Sequence, residues 1–293
     1  MKTSRFIIIT TLLMAAIAFA VLTLFVILRI ASPGQADLMA PGSKVALVRI
    51  VGPIETSDEM IEELDDYRKN DGVKAVVLRI DTPGGGVGAS RDIYDAVQRI
   101  REEGKPVVVS MGPIAASGGY YIACAGDSIL AGPSTITGSI GVIAVFGSFK
   151  RALDKLGIDF NIIATGPFKA SGSELKEMTD EERAYIQDLL DDLFQQFVDV
   201  VVEGRGIERD SILAIADGRA FSGRQALALG LVDRFGTLED ATNAAAQLAG
   251  LPIPPRTVER RERRFSLRDL LKEARLFARL APNPLPRIEY RLY

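Results

Sequence analysis

The stretch GPIAASGGYYIACAGD, residues 112–127, sets Ser117 between two alanines and two glycines. Side chains this small let another group approach the backbone closely. Two uses of the hydroxyl fit. It can cap the N-terminus of a following helix, a common role for serine. Alternatively it can act as a nucleophile, with Oγ at a helix N-terminus whose dipole and neighbouring N–H favour an adjacent oxyanion. A nucleophilic serine needs a base, and the sequence contains no histidine. Ser-His-Asp and Cys-His catalysis are therefore excluded.

The remaining bases are Lys, Asp, Glu and Tyr. A carboxylate with an ordinary pKa of about 4 is a weak base for a hydroxyl, whereas lysine, near 10.4, is strong but protonated at neutral pH. Burial lowers a lysine by up to roughly 3–5 units and so yields a neutral amine. The base should then be a lysine among apolar neighbours, away from carboxylates. Lys150 and Lys155 share a charged segment with Arg151 and Asp154, and Lys176 adjoins Glu177 with Glu174 close by. Lys169, in IIATGPFKASG, follows a strand-like run and is flanked by Phe168 and Ala170. It fits best, against the plainer alternative of a surface-loop lysine. The DTPGGG segment, residues 81–86, offers backbone N–H groups that no side chain obstructs. It reads as a tight turn needing positive φ or as an oxyanion hole. A phosphate loop is a poor fit, because no Gly-Lys-Ser/Thr follows.

These residues must be carried by elements. From Lys44 the chain alternates strand-like and helix-like runs. Residues 44–52, 73–81 and 105–112 read as strands, and 58–70 and 91–104 as amphipathic helices. Residues 127–132 and 139–147 read as short strands, 148–157 as a helix and 158–166 as a further strand. Residues 179–203 read as a long helix opened by the capping box at Thr179 and Glu182. Such alternation implies an α/β fold with a largely parallel sheet. Parallel sheets carry ligand sites at the carboxyl ends of their strands. Both glycine-rich segments fall at strand-to-helix turns, so they can meet at one edge.

Length and composition set the remaining bounds. With 293 residues, 47% hydrophobic and 25% charged, the chain can bury a sizeable core. A net charge of −3 gives no footprint for nucleic acid. One cysteine, Cys124, and no histidine exclude an internal disulfide and the usual zinc ligand sets; no metal or other cofactor is expected. Residues 6–28 form a run of 23 without a charge, about 34 Å as a helix and enough to span a bilayer core. Ala18-Phe19-Ala20 lies inside the run instead of after it, which favours an uncleaved anchor over a signal peptide. Lys2 and Arg5 precede the run, so residues 1–5 should be cytoplasmic and the rest of the chain outside. The expected layout is an anchor at 6–29, a linker at 30–43, a main domain at 44–250 and a basic tail at 251–293. From Pro252 onward the tail holds 11 Arg or Lys against 5 Asp or Glu. Such a run is ordinarily a solvated surface, with anionic lipid as the alternative partner.

Five ordered segments carry a resemblance: RIDTPGGGV, SMGPIAASGGYYIACAGD, STITGSIGV, TGPFKASGSELKEMTDEER and DGRAFSGRQALALGLVD. Together they resemble the short, single-repeat form of bacterial signal peptide peptidase A. The resemblance implies a crotonase/Clp-protease-like fold of repeated ββα units behind one N-terminal transmembrane helix. It implies a membrane-bound Ser-Lys dyad peptidase acting on remnant signal peptides, with Ser117 as nucleophile and Lys169 as general base. It also implies Ser139 as the hydroxyl that orients the lysine amine, and the N–H groups of Gly85 and Gly118 as the oxyanion hole. Finally, it implies a homo-oligomer, a tetramer or octamer, in which serine and lysine come from neighbouring subunits. The chain departs from the commonest pattern in having Phe168 before the lysine and Glu174-Leu175 where a proline is usual. Two rival functions are a crotonase-type acyl-CoA enzyme, which shares the oxyanion hole, and a non-catalytic membrane scaffold.

Overall fold

A computed structural model of the chain describes residues 42–260 and, apart from these, Met14 alone. Apart from Met14, the expected anchor at 6–29, most of the linker before it joins the domain, and the tail beyond Arg260 lie outside the described residues. Among the described residues no helix is long and apolar enough to cross a membrane.

The structure is a mixed α/β sheet fold. Its centre is three long parallel strands, β1 (Lys44–Val51), β2 (Val73–Thr82) and β3 (Val107–Ala116). Parallel neighbours need crossovers, and two amphipathic helices supply them: α1 (Asp58–Lys69) and α2 (Val87–Glu102). The near-continuous apolar runs of the strands are explained by burial on both faces. Val76, Leu78 and Ile80 of β2 point into the larger core with Ile93, Val97 and Ile100 of α2. Ala75 and Val77 point to the opposite face, against Ala241, Ala245 and Ala246 of the helix Leu238–Leu248. The alanines let that helix lie close to the sheet. The C-terminal end of α1 is finished by the Lys105 ammonium, which donates to the carbonyls of Tyr67 (3.0 Å) and Asn70 (2.9 Å) and also to that of Arg68. A cation there complements the helix dipole.

β3 serves two neighbours in turn. Its first half pairs with β4 (Ser128–Ala131) and its last three residues with β5 (Ile136–Gly138). The change occurs at a bulge, where Ile80 faces Met111 but Thr82 faces Ala115. A bulge of this kind re-aims the chain beyond it. Asp81 fills it: its Oδ1 accepts from the Ile114 N–H at 3.3 Å, and a Cβ on Gly112 would lie 2.8 Å from the Asp81 Cβ. Thr135 Oγ1 donates to the Gly112 carbonyl at 2.8 Å, and Thr137 Oγ1 to that of Ala115 at 2.7 Å. The sheet is completed by β6 (Ala220–Ser222), antiparallel to β5, by β7 (Arg234–Phe235) beside β4, and by β8 (Thr257–Glu259) beside β1. β8 thus draws the first residues of the basic segment into the sheet.

Two expected strands are absent. Residues 139–147 and 158–166 have no strand pairing; the strand in this region is β5, which ends at Gly138. Gly138 and Ser139 have φ of 76° and 51°, which extended backbone does not permit. Beyond them the apolar residues find nothing to pair with: Ile143, Val145 and Ile163 are 82%, 84% and 97% exposed. Hydrophobic alternation predicts a strand, but a strand exists only with a hydrogen-bonding neighbour. Residues 141–178, including the short α4 (Lys150–Lys155), form an arm that returns to the N-terminal turns of α5 (Asp180–Arg205). The capping box that opens α5 is present as expected, with Thr179 and Glu182 exchanging side-chain-to-backbone bonds.

Candidate active site

The ends of β2, β3 and β5 converge. Ala116 and Gly138 are register partners in parallel strands, so Ser117 and Ser139, the next residues of each, stand side by side. Both leave their strands with positive φ, 53° and 51°, the only described non-glycine residues to do so. Such a conformation costs on the order of 1–3 kcal/mol and persists only where its surroundings enforce it. Here the Ser117 N–H donates to the Gly138 carbonyl at 2.8 Å, and the Ser117 carbonyl accepts from Tyr121 N–H at 2.9 Å. The Ser139 N–H donates to the Arg219 carbonyl at 3.0 Å.

Ser117 occupies the N-cap position of α3 (Gly118–Ala123), yet its side chain caps nothing. Its half-buried Oγ is left available where the strand turns sharply into a helix. The geometry is that of a presented hydroxyl, not of a capping one. α3 itself is held firmly. Tyr120 is fully buried and its hydroxyl donates to the Leu231 carbonyl at 2.9 Å. The Tyr121 ring lies between Tyr94 and Phe197, with centroids 5.3 and 5.1 Å away. Burial also pushes the Cys124 thiol, behind this helix, up to about 12, so it is inert.

The glycines explain themselves by distance. A Cβ on Gly84, whose φ is 104°, would lie 2.8 Å from the Ser117 Cβ; one on Gly119 would lie 2.5 Å from Thr82 Cγ2. The Gly84 N–H is spent on Thr82 Oγ1 at 3.0 Å. The Gly85 N–H is not: Ile54 grips the loop on either side, donating to the Gly84 carbonyl at 2.9 Å and accepting from Gly86 N–H at 2.8 Å. Gly118, at the first position of its helix, likewise has no acceptor among the described residues for its N–H. A Cβ built on Gly118 would be 3.4 Å from the Gly85 nitrogen, so the two unspent donors are neighbours beside Ser117.

The structure therefore brings together Ser117, Ser139, Gly85 and Gly118. It does not join Lys169 to them within one chain. Lys169 is exposed in a turn where its own N–H donates to the Gly166 carbonyl at 3.2 Å, and it makes no hydrogen bond or ion pair with either serine. That turn is fastened to α5. The Phe168 ring lies 5.1 Å from that of Tyr185, and Ser171 Oγ donates to Glu182 at 3.3 Å. Lys176 pairs with Glu182, whose carboxyl it holds below the usual range, and Lys150 pairs with Asp154. A cavity of about 750 Å³ opens between the arm and α5, lined by Phe146, Met178, Ile186, Leu190 and Arg151 among others, and it includes neither serine. Among the described residues no cluster of acidic or thiol side chains is gathered to hold a metal. Ser90 and Ile54 support the site but lie in no motif singled out above, and Asp81, the first residue of DTPGGG, supports it through the bulge. The signal in the sequence that could have found Ser90 is its place four residues after Gly86 at a helix start.

A family model described as peptidase family S49 matches residues 99–252, and one described as Clp protease matches residues 42–134. A protein of Synechocystis sp., named by inference as a protease, is 43% identical over 210 residues, covering 71% of this chain and 75% of its own length. Protease 4 of Salmonella typhi is 39% identical over 194 residues, 66% of this chain and 31% of that protein. A protein of Enterococcus faecium, whose name signal peptide peptidase SppA is itself an inferred assignment, is 35% identical over 184 residues, 63% of this chain and 54% of that protein. The matched segment thus spans about half or less of the last two.

Proposed function

This chain belongs to peptidase family S49 and is accordingly a serine protease, and we propose that it is a membrane-anchored endopeptidase using Ser117 as nucleophile and Lys169 of a neighbouring copy as general base. The observation that carries the reading is Ser117 itself. It is a strained, non-capping serine at a strand-to-helix turn, beside the unspent N–H groups of Gly85 and Gly118.

The reaction is acyl transfer. A neutral Lys169 Nζ takes the proton from Ser117 Oγ, and Oγ bonds to the substrate's carbonyl carbon. The carbonyl oxygen becomes an oxyanion facing the two backbone donors. The C–N bond then breaks, the leaving amine takes the proton from the lysine, and an acyl-serine remains. Water, deprotonated by the same lysine, attacks the ester; the C–Oγ bond breaks, Oγ takes the proton back from the lysine, and the acid leaves. Ser139, beside Ser117, accepts from or donates to the amine and orients it.

A lysine from a second copy accounts for two features at once. In the single chain Lys169 is exposed, which leaves it without the burial that a neutral amine needs. The arm that carries it also exposes Ile143, Val145, Leu156 and Ile163, an apolar surface that a second subunit would cover. A homo-oligomer, tetramer or octamer, would desolvate the lysine and deliver it together. Substrates are hydrophobic peptides such as remnant signal peptides. The anchor at 6–29 places the domain on the periplasmic or outer side of the plasma membrane, with residues 1–5 in the cytoplasm.

The test mixes Ser117→Ala and Lys169→Ala chains, each inactive alone, and allows subunit exchange. Recovered peptide cleavage supports a dyad shared between copies. Demonstrated mixed assembly without recovery would put both residues in one chain. Full activity of either variant alone would refute the dyad.

A further inference from the structure

The two proposed oxyanion donors sit on different elements, Gly85 before α2 and Gly118 at the start of α3. Something must fix their separation, because donors stabilise developing charge only when held where the oxyanion will form. We infer that Ser90 is the positioning residue that does this, an inference that rests on the Ser117 reading above.

Ser90 is 2% exposed, in the first turn of α2. Its Oγ donates to the Gly86 carbonyl at 2.9 Å, and its N–H donates to the same carbonyl at 3.0 Å. The peptide that follows Gly86, at the end of the loop that carries the Gly85 N–H, is thus held by both groups of one residue. The same Oγ abuts Gly118: a Cβ there would lie 2.3 Å from Ser90 Oγ and 3.3 Å from Ser90 Cβ. Ser90 is therefore a spacer with one side bonded to the Gly85 loop and the other against the backbone of Gly118. Ile54 grips the Gly84–Gly86 loop from the other direction, so the loop cannot follow Ser90 away from α3. A hydroxyl is the right size here. A larger group would push Gly118 outward, and a methyl would leave a gap into which the start of α3 shifts against the fixed loop.

Ser90→Ala is a clean probe. The Gly86 carbonyl keeps its bond from the residue-90 N–H, so no buried acceptor is orphaned and the fold is retained. On the full-length protein, kcat for a fluorogenic peptide is expected to fall about 10- to 100-fold, less than the loss of a whole donor, with KM within about twofold. The Ki of a peptide aldehyde, which forms a tetrahedral adduct on serine, should rise by the same factor as kcat/KM falls. Affinity for the product peptide and the melting temperature should stay near wild type. An unchanged kcat would overturn the inference, as would an altered melting temperature with an unchanged aldehyde Ki. Fluorophosphonate labelling of the wild type separates this from the parent reading. Label on Ser117 with Ser90→Ala fully active removes the positioning role alone; no label on Ser117 and an active Ser117→Ala remove both.

Discussion

Replacing Gly84 by alanine should damage both stability and catalysis, and by a calculable amount. Gly84 has φ of 104°, a region costing a residue with a side chain about 1–3 kcal/mol. The new methyl would also stand 2.8 Å from the Ser117 Cβ, 2.9 Å from the Gly118 nitrogen and 3.1 Å from the Ala116 carbonyl oxygen. None of these is the far end of a flexible side chain, so backbone must move by several tenths of an ångström, at about 1–3 kcal/mol for overpacking. The combined cost is about 2–6 kcal/mol. At roughly 2–4 °C per kcal/mol for a domain of this size, the melting temperature should fall by about 5–20 °C. The displaced atoms are those of the proposed nucleophile and its proposed neighbouring donor, so kcat should fall on the order of 100-fold even where the fold survives. Gly88→Ala, in the same glycine-rich run, is the control. Nothing lies within 4 Å of its Cβ position and it is helical, so alanine should stabilise by up to about 1 kcal/mol. Thermal melts and peptide cleavage on both variants decide the matter. Wild-type melting and turnover in Gly84→Ala would refute the close approach of the loop to Ser117.

Two further substitutions probe the scaffold. Burial pushes the Glu63 carboxyl up to about 7 from 4.5, against the opposing pull of Tyr67 and Arg260. The folded chain therefore binds the extra proton, so Glu63's contribution is full below pH 4.5 and is lost as pH rises through 7. Discounted for partial exposure, the loss is about 1–2 kcal/mol; Glu63→Gln should melt higher than wild type at pH 8 and alike at pH 4.5, and an equal difference at both would contradict the assignment. Tyr120→Phe leaves the buried Leu231 carbonyl without its donor, which should cost about 1–3 kcal/mol in denaturant unfolding with m unchanged; no loss would mean that water replaces the hydroxyl.

Much of the site was written in local pattern. The apolar runs of β1, β2 and β3 and the periodic faces of α1 and α2 announce a parallel α/β core, because periodicity is a property of the chain itself. The capping box at Thr179 and Glu182 is equally local, and it forms as read. Small residues around Ser117, and the lack of any histidine, direct attention to a serine served by lysine from the residue types alone. What tertiary structure decided is everything that depends on a partner. Whether Ser117 caps a helix or presents its hydroxyl turns on its φ of 53°, which the Gly138 carbonyl of a neighbouring strand helps to hold. Which glycine keeps its N–H unspent turns on Thr82 taking that of Gly84 while Ile54 brackets Gly85. Residues 139–147 and 158–166 have the composition of strands but no strand to pair with, and an extended segment is stable only when its backbone groups are bonded. Lys169 fits the chemistry by its neighbours in sequence, yet sequence neighbours do not bury an amine; that takes a surface packed over it, and among the described residues none is there.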